Sequence, residues 1–384
     1  ACARTRHRAE AHRASQAPDT TMAMLRIFRR VDAAAVAVLD LPPDAAAPAL
    51  AHAEARPAGG FARGIGPAAG ASRPLPAALA AYRPIRAEQL DAAGRHALAK
   101  LCQKIPRPPA MLAELLDPAQ ATDDARALAQ RLGREPALAR AIAQPREAVA
   151  GPPPAVLAGA IDRLGVCPAR QLAIRWMLQA VFVSDCPQRR VLLAAAWQAS
   201  TLACEIAAHL AARVRLARAP ALVDATALSF VGRLATIASM PKGLLERVPP
   251  RGCLERLAAE QALLGVSSSE IGRLLMLAWD LPRAVVDEAA EVDAVLFAPH
   301  AAWEPARAAR LALCYLSARC GERLVADPTL DLADIDPMGD PDAEFHQLRG
   351  YLAGPAQAGL AGALRDGALR EALRHARSMP QPPD

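Results

Sequence analysis

Apolar residues recur along most of this chain at the three- and four-residue steps of an α-helix, and from about residue 87 to 328 the pattern reads as continuous helix and turn. Ile105-Pro106-Arg107-Pro108-Pro109 forms a rigid entry into a helix starting near Ala110, because proline suits a first turn and pushes the residue before it out of the helical region. Thr122 reads as an N-cap followed by the acidic first turn Asp123-Asp124. The apolar stripe Ala125, Leu128, Ala129, Leu132 then runs to a stop at Gly133. Glu135-Pro136 opens the next helix, and Pro152-Pro153-Pro154 introduces one with Leu157, Ala160, Ile161 and Leu164 on one face, ended by Gly165.

A helix over about 171–183 is dense in Trp176, Met177, Leu178, Val181 and Phe182 and is expected to be mostly buried. In the one after it, Leu202, Ile206, Leu210 and Val214 step by four, while Gln198, Glu205 and His209 share a polar side on which His209 reads as solvated rather than as a base. A helix over Trp303 to Leu324 places Leu311, Cys314, Tyr315 and Ala318 on one face, and Leu348 to Arg377 reads as one or two Ala/Leu helices packed on the body.

Composition agrees with this pattern. Of the 384 residues 53% are hydrophobic but only 3% aromatic, which favours Ala/Leu helices over sheets, so the expected fold is all-α. The expected organisation is a disordered basic N-terminus at 1–23, an extension and Pro/Gly-rich linker at 24–86, a single helical bundle at 87–328, and an acidic linker with a small helical extension at 329–384. Residues 1–21 read as lying upstream of a start at Met22 or Met24. Met24 to Arg30 is a short basic amphipath that ranks no higher than an ordinary first turn or strand. Gly59 to Gly70 superficially resembles a phosphate-binding loop, but Pro67 removes an N–H donor where such loops need one, so a linker is expected there.

The formal charge of +6 and pI near 9.1 raise the question of nucleic acid. Five of those six charges come from residues 1–30, where seven arginines stand against Glu10 and Asp19. The body is nearly neutral and interleaves no aromatics with arginine, so no nucleic-acid partner is expected. Eight scattered cysteines form no CxxC, and Cys204 and Cys314 fall at apolar helical positions, as buried thiols do in a reducing cytosol. No apolar run is judged long enough to span a membrane and no secretory pattern is seen, so the expected location is cytoplasmic.

Three landmarks carry a family resemblance: Trp197-Gln198-Ala199-Ser200, the run Ala227-Leu228-Ser229-Phe230-Val231-Gly232-Arg233-Leu234, and Ala278-Trp279-Asp280-Leu281-Pro282. With Ile105 to Pro109, Glu135-Pro136 and Ala160 to Gly165 in the same order, the chain from about Leu101 to Leu324 resembles the HDOD domain. That domain is a helical relative of the HD metal-dependent phosphohydrolases, common in bacterial signalling and regulatory proteins. An HD enzyme gathers His and Asp ligands from several helices, so that a metal can polarise a phosphoryl oxygen and activate a water. The resemblance sets Thr226 to Gly232 against the family's Gly-Leu-Leu-His-Asp-Ile-Gly, which puts the His-Asp pair on Ser229 and Phe230. A phenyl ring cannot coordinate a cation, and a lone hydroxyl is a poor substitute for imidazole.

A second ligand motif of the family, Glu and then Gly-x-x-His ahead of Trp-x-Leu-Pro, sets Glu260 at the Glu and Ser268 at the His, with Ser267 as N-cap and Glu270 at N3 read as a capping box. The third, a His pair, falls within Val285 to Val292, which holds none; only His209 and His300 lie between Gly151 and Pro328. Asp224, Asp287, Glu288 and Glu291 would suit Mg²⁺ through oxygen ligands, but solvated helix faces are the expected use. The acidic run Asp331, Asp334, Asp336, Asp340, Asp342 lacks EF-hand spacing and reads as a linker.

The resemblance therefore implies a non-catalytic regulatory protein with Ser229, Phe230 and Ser268 as degenerate site positions, and no cofactor, catalytic or metal-binding residue is assigned. Its expected partner is a protein in a signalling pathway, with a small nucleotide as a possible ligand. The alternative is a divergent metal-dependent phosphohydrolase acting on a nucleotide or cyclic dinucleotide with non-standard ligands.

Overall fold

Helix starts are written into the proline positions: Pro136, Pro154, Pro187 and Pro305 each open a helix, where the missing N–H has no intrahelical partner to lose. The computed structural model describes residues 74–120, 124–143, 153–216, 218–249, 252–354 and 359–378. Expectations placed on 1–73, including the basic arm and the glycine-rich stretch, lie outside the described residues. The helices are α1 (Ala77–Ala81), α2 (Ala92–Gln103), α3 (Met111–Leu116), α4 (Ala125–Leu132), α5 (Pro136–Ala143), α6 (Pro154–Leu164), α7 (Val166–Val181), α8 (Pro187–Arg213) and α9 (Ala219–Ser229). They continue with α10 (Val231–Ser239), α11 (Lys242–Leu245), α12 (Cys253–Leu264), α13 (Ser268–Ala278), α14 (Arg283–Ala290), α15 (Pro305–Ala326), α16 (Leu348–Leu352), α17 (Leu360–Leu364) and α18 (Gly367–Ser378). Among the described residues there is no strand, and the all-α expectation holds.

Two apolar clusters form the core. The first joins α2 to α7 with the front half of α8 (Leu193, Ala196, Trp197) and with α10, α13 and α14; Phe182 lies between Trp197 and Trp279, with ring centroids 6.3 and 6.1 Å away. The second joins the back half of α8 (Leu202, Ile206, Leu210) to α9, α15 and the C-terminal elements. Helix α8 thus serves both clusters. It meets α15 so closely that a Cβ at Gly321 would lie 2.4 Å from the Ala199 carbonyl oxygen.

Several local expectations are corrected. The cap of α4 is Asp124, whose carboxylate accepts the Ala127 N–H at 2.7 Å, two residues beyond Thr122, which lies outside the described residues. Leu164 is exposed rather than buried with its stripe. The packed body begins before residue 87, since α1 buries Leu79 and Tyr82 stacks 5.8 Å from Phe297. The acidic run is folded, not a linker: Arg323 pairs with Asp340 and Asp342 at 2.7 and 2.6 Å, and Leu332, Ile335 and Phe345 enter the second cluster. Residues 187–213 and 219–239 are helical stretches long and apolar enough to cross a membrane, contrary to the length reading of the sequence. In this fold 56% and 78% of an apolar 18-residue window in each are buried, and Phe230 interrupts the second.

Candidate functional site

The three degenerate positions come together where α9, α10 and α13 meet. Helix α9 ends at Ser229, whose hydroxyl donates to the Thr226 carbonyl at 2.8 Å, and Phe230 turns the chain into α10 with its ring in the first core cluster. Ser268 begins α13, buried, and its backbone N–H donates to Glu260 at 2.9 Å. Helices α10 and α13 cross with backbone against backbone at Gly232 and Gly272. A Cβ at Gly232 would lie 1.8 Å from the Ser268 carbonyl oxygen. The glycines permit that approach, so the space between the two landmark helices is filled by main chain.

The expected capping box does not form. Ser267 makes no side-chain cap bond, and the N-terminal donor of α13 is served instead by the buried Glu260 carboxylate from α12. Glu270 is drawn elsewhere: it accepts the Ala87 N–H at 3.0 Å and pairs with Arg86 at 3.0 Å and Arg273 at 2.6 Å. Two guanidiniums put a full charge on both ends of each bond, where a capping box would offer the carboxylate only a neutral backbone N–H. Those pairings hold the Glu270 carboxyl below its ordinary range despite burial.

Each of the four carboxylates considered for Mg²⁺ is paired with an arginine, although Asp224 keeps one buried oxygen, Oδ1, without a hydrogen bond among the described residues. Asp224 is buried against Arg170 at 2.5 Å, where desolvation, partly offset by that arginine, raises it to about 6. Asp287 pairs with Arg283 at 2.9 Å, Glu288 with Arg310 at 2.6 Å, and Glu291 with Arg307. The reading of these as solvated faces is corrected for Asp224, and equally for His209, which turns toward Asp366 of the C-terminal extension at 3.4 Å.

Sequence reasoning missed what occupies the neighbouring interior, a network of three arginines and three acids. Glu322 of α15 pairs with Arg256 at 3.0 Å, with Arg319 at 2.7 Å and with Arg233, which lies one turn on from Ser229. Arg319 also reaches Asp293 at 3.5 Å, and Asp293 accepts the Ser269 hydroxyl at 2.6 Å. Arg256 stands 4.0 Å from Glu260. Burial raises Glu322, but three surrounding guanidiniums outweigh it and lower the carboxyl to about 2; for Glu260, deeper and farther from its arginine, burial dominates and the shift is upward. The available signal was local: Arg256 and Glu260 are four apart, Arg319 and Glu322 three apart, inside otherwise apolar helices.

Beside the network, Glu344 accepts the Cys253 N–H at the start of α12, and desolvation raises its carboxyl from 4.5 to about 7. An acid whose folded pKa is raised holds its proton more tightly when folded, so its contribution to stability falls as pH rises from about 4.5 to about 7. Glu322 acts in the opposite sense: its contribution is present above 4.5 and is lost as pH falls toward about 2. Asp224 adds to the falling upper limb between 3.8 and about 6. Thermal denaturation across pH is therefore expected to show maximal stability near pH 4, where the gain from Glu322 and the losses from Glu344 and Asp224 balance. In Glu344→Gln the decline between about pH 6 and 7 should flatten; an unchanged slope there would remove Glu344 as its source.

The metal implied by an HD-type scaffold does not fit these residues. Serine, phenylalanine and serine stand at the landmark positions, the nearby carboxylates are bound to arginines, and among the described residues no three His, Cys, Asp or Glu side chains converge to hold an ion. The described residues form an all-helical fold, and residues 150–295 match the HDOD domain model.

An HDOD domain protein with unknown function from Geobacter sulfurreducens shares the fold, with a TM-score of 0.54, 17% identity, and coverage of 75% of this chain and 99% of that one. A provisionally named phosphohydrolase from Shewanella amazonensis SB2B overlays at TM-score 0.48 with 18% identity, covering 73% of this chain and 97% of that one. The MmoQ response regulator of Methylococcus capsulatus str. Bath gives 0.35 and 22%, covering 69% and 100%. No curated protein matches the chain.

Proposed function

We propose that this chain is a non-catalytic regulatory module, built on a degenerate HD-type bundle, that acts by binding a partner protein in a bacterial signalling pathway. The observation that carries the reading is the α10–α13 crossing, where main chain at Gly232, Ser268 and Gly272 occupies the space between the landmark helices. The arginine network supports it, because Glu322 and Asp293 beside that crossing are already engaged by guanidiniums rather than open to a divalent cation. A small nucleotide remains a candidate ligand, with effect only through unequal affinity for two conformations. We place the protein in the cytoplasm on the strength of its buried free thiols at Cys204, Cys253, Cys314 and Cys320.

Metal analysis of the purified protein, with phosphodiesterase assays on cyclic dinucleotides in added Mn²⁺ or Mg²⁺, tests the proposal. Substoichiometric metal and no turnover are expected. Stoichiometric Mn, Fe or Ni accompanied by turnover would establish the divergent phosphohydrolase instead.

A further inference from the structure

Asp224 of α9 is a charged side chain sealed in the interior, 5% exposed, and only half of its carboxylate is matched. Oδ2 pairs with Arg170 of α7 at 2.5 Å, whereas Oδ1 is buried and accepts no hydrogen bond among the described residues. Buried polar atoms are almost always paired, so an orphaned oxygen points to a group that the chain itself does not supply. Desolvation outweighs Arg170 and raises the carboxyl to about 6, so the ionised form is under-stabilised by its one partner.

The same residue lines a cleft between α7, α8 and α9. Its apolar wall is Ile174, Val223 and Ala227, and its half-buried polar wall is Gln171, Arg175 and Glu205. The interior space of about 10 Å³ admits a single water-sized group. A primary ammonium has that size, and guanidinium and quaternary ammonium heads are too large. A neutral water would give Oδ1 a bond but no charge, while an ammonium makes the charge-assisted bond that the ionised carboxyl lacks. Gln171 donates its amide N–H to the Cys167 thiol at 3.5 Å, which leaves the amide oxygen as an acceptor, and Glu205 forms no ion pair among the described residues. Asp224, Gln171 and Glu205 thus match the three N–H donors of an ammonium group. Arg175 shares the wall but makes no bond to Asp224.

We infer that the α7–α8–α9 cleft binds a short primary alkylamine, its ammonium donating to Asp224 Oδ1 and its methylenes lying on Ile174, Val223 and Ala227. A divalent cation does not suit the cleft, because such ions take about six or more oxygens and no three acidic, His or Cys side chains converge to hold one among the described residues. The site is separate from the α10–α13 junction, and the inference does not depend on the partner-binding reading.

Calorimetric titration of the full chain with n-propylammonium chloride at neutral pH, in sodium chloride of matched ionic strength, tests it. Saturable binding at one site is expected. Tetramethylammonium, which has no N–H to give Asp224, should bind at least about tenfold more weakly. Glu205→Gln removes a carboxylate that carries no ion pair, so the fold should persist while affinity falls about tenfold, the loss of one charge-assisted bond. Asp224→Asn should abolish binding, with helical circular dichroism reporting whether that variant is folded; if it is not, Glu205→Gln carries the test. Absence of saturable n-propylammonium binding, which would mean an ordered water only, would overturn the inference. So would equal binding of tetramethylammonium, or full affinity retained in the folded variants.

Discussion

Glu322→Gln is expected to destabilise the fold by about 3–5 kcal/mol, the cost of removing one partner from a buried ionic cluster, measured as a lower urea midpoint with an unchanged slope. The side chain is 13% exposed and is the one acid that all three guanidiniums of Arg233, Arg256 and Arg319 share. Amide replacement conserves shape but leaves three cations facing one another in a medium that screens them poorly. Arg256 and Arg319 already carry nitrogen atoms without hydrogen-bond partners among the described residues, so the cluster has little spare capacity to rearrange. Adding Arg256→Met to Glu322→Gln should recover part of the loss, because an apolar side chain of similar length removes a charge that has lost its partner. If the double variant is no more stable than the single one, charge repulsion is not the source of the loss.

Gly232→Ala is expected to cost as much as or more than the upper end of the roughly 1–3 kcal/mol that overpacking brings. The added methyl would sit 1.8 Å from the Ser268 carbonyl oxygen and close to the Gly272 amide, and both obstacles are main chain, so relief requires α10 and α13 to separate. That separation would pull Val231, Leu234, Ile271 and Leu275 out of register in the first core cluster. Gly243→Ala is the control: nothing lies within 4 Å of its Cβ position, and alanine favours helix, so stability should hold or rise by up to about 1 kcal/mol. Equal effects of the two substitutions in chemical denaturation would mean that the crossing is not tight in solution.

Much of the architecture was legible in the sequence because helices announce themselves locally. Proline at first turns, Gly133 and Gly165 at stops, and apolar stripes such as Leu202, Ile206 and Leu210 depend on neighbours within a few residues, and the helices appear where those signals lie. The three positions that the resemblance singled out, Ser229, Phe230 and Ser268, lie at one junction in the structure. The charged network beside them was not legible. Arg233 and Glu322 are 89 residues apart, and Glu270 bonds across 183 residues to the Ala87 amide. No spacing rule connects such pairs. The capping box and the acidic linker failed for that same reason, since Arg86 draws Glu270 from far along the chain, and Arg323 pairs with Asp340 and Asp342 in addition to their local bonds.

The arginine network also limits which substitutions this interior accepts. A larger side chain at position 232 meets the main chain of the facing helix, and removing Arg233, Arg256 and Arg319 would strand Glu322 and Glu260 in the interior. Change at this junction one residue at a time therefore meets a stability barrier from either side, and only paired replacements leave the interior balanced.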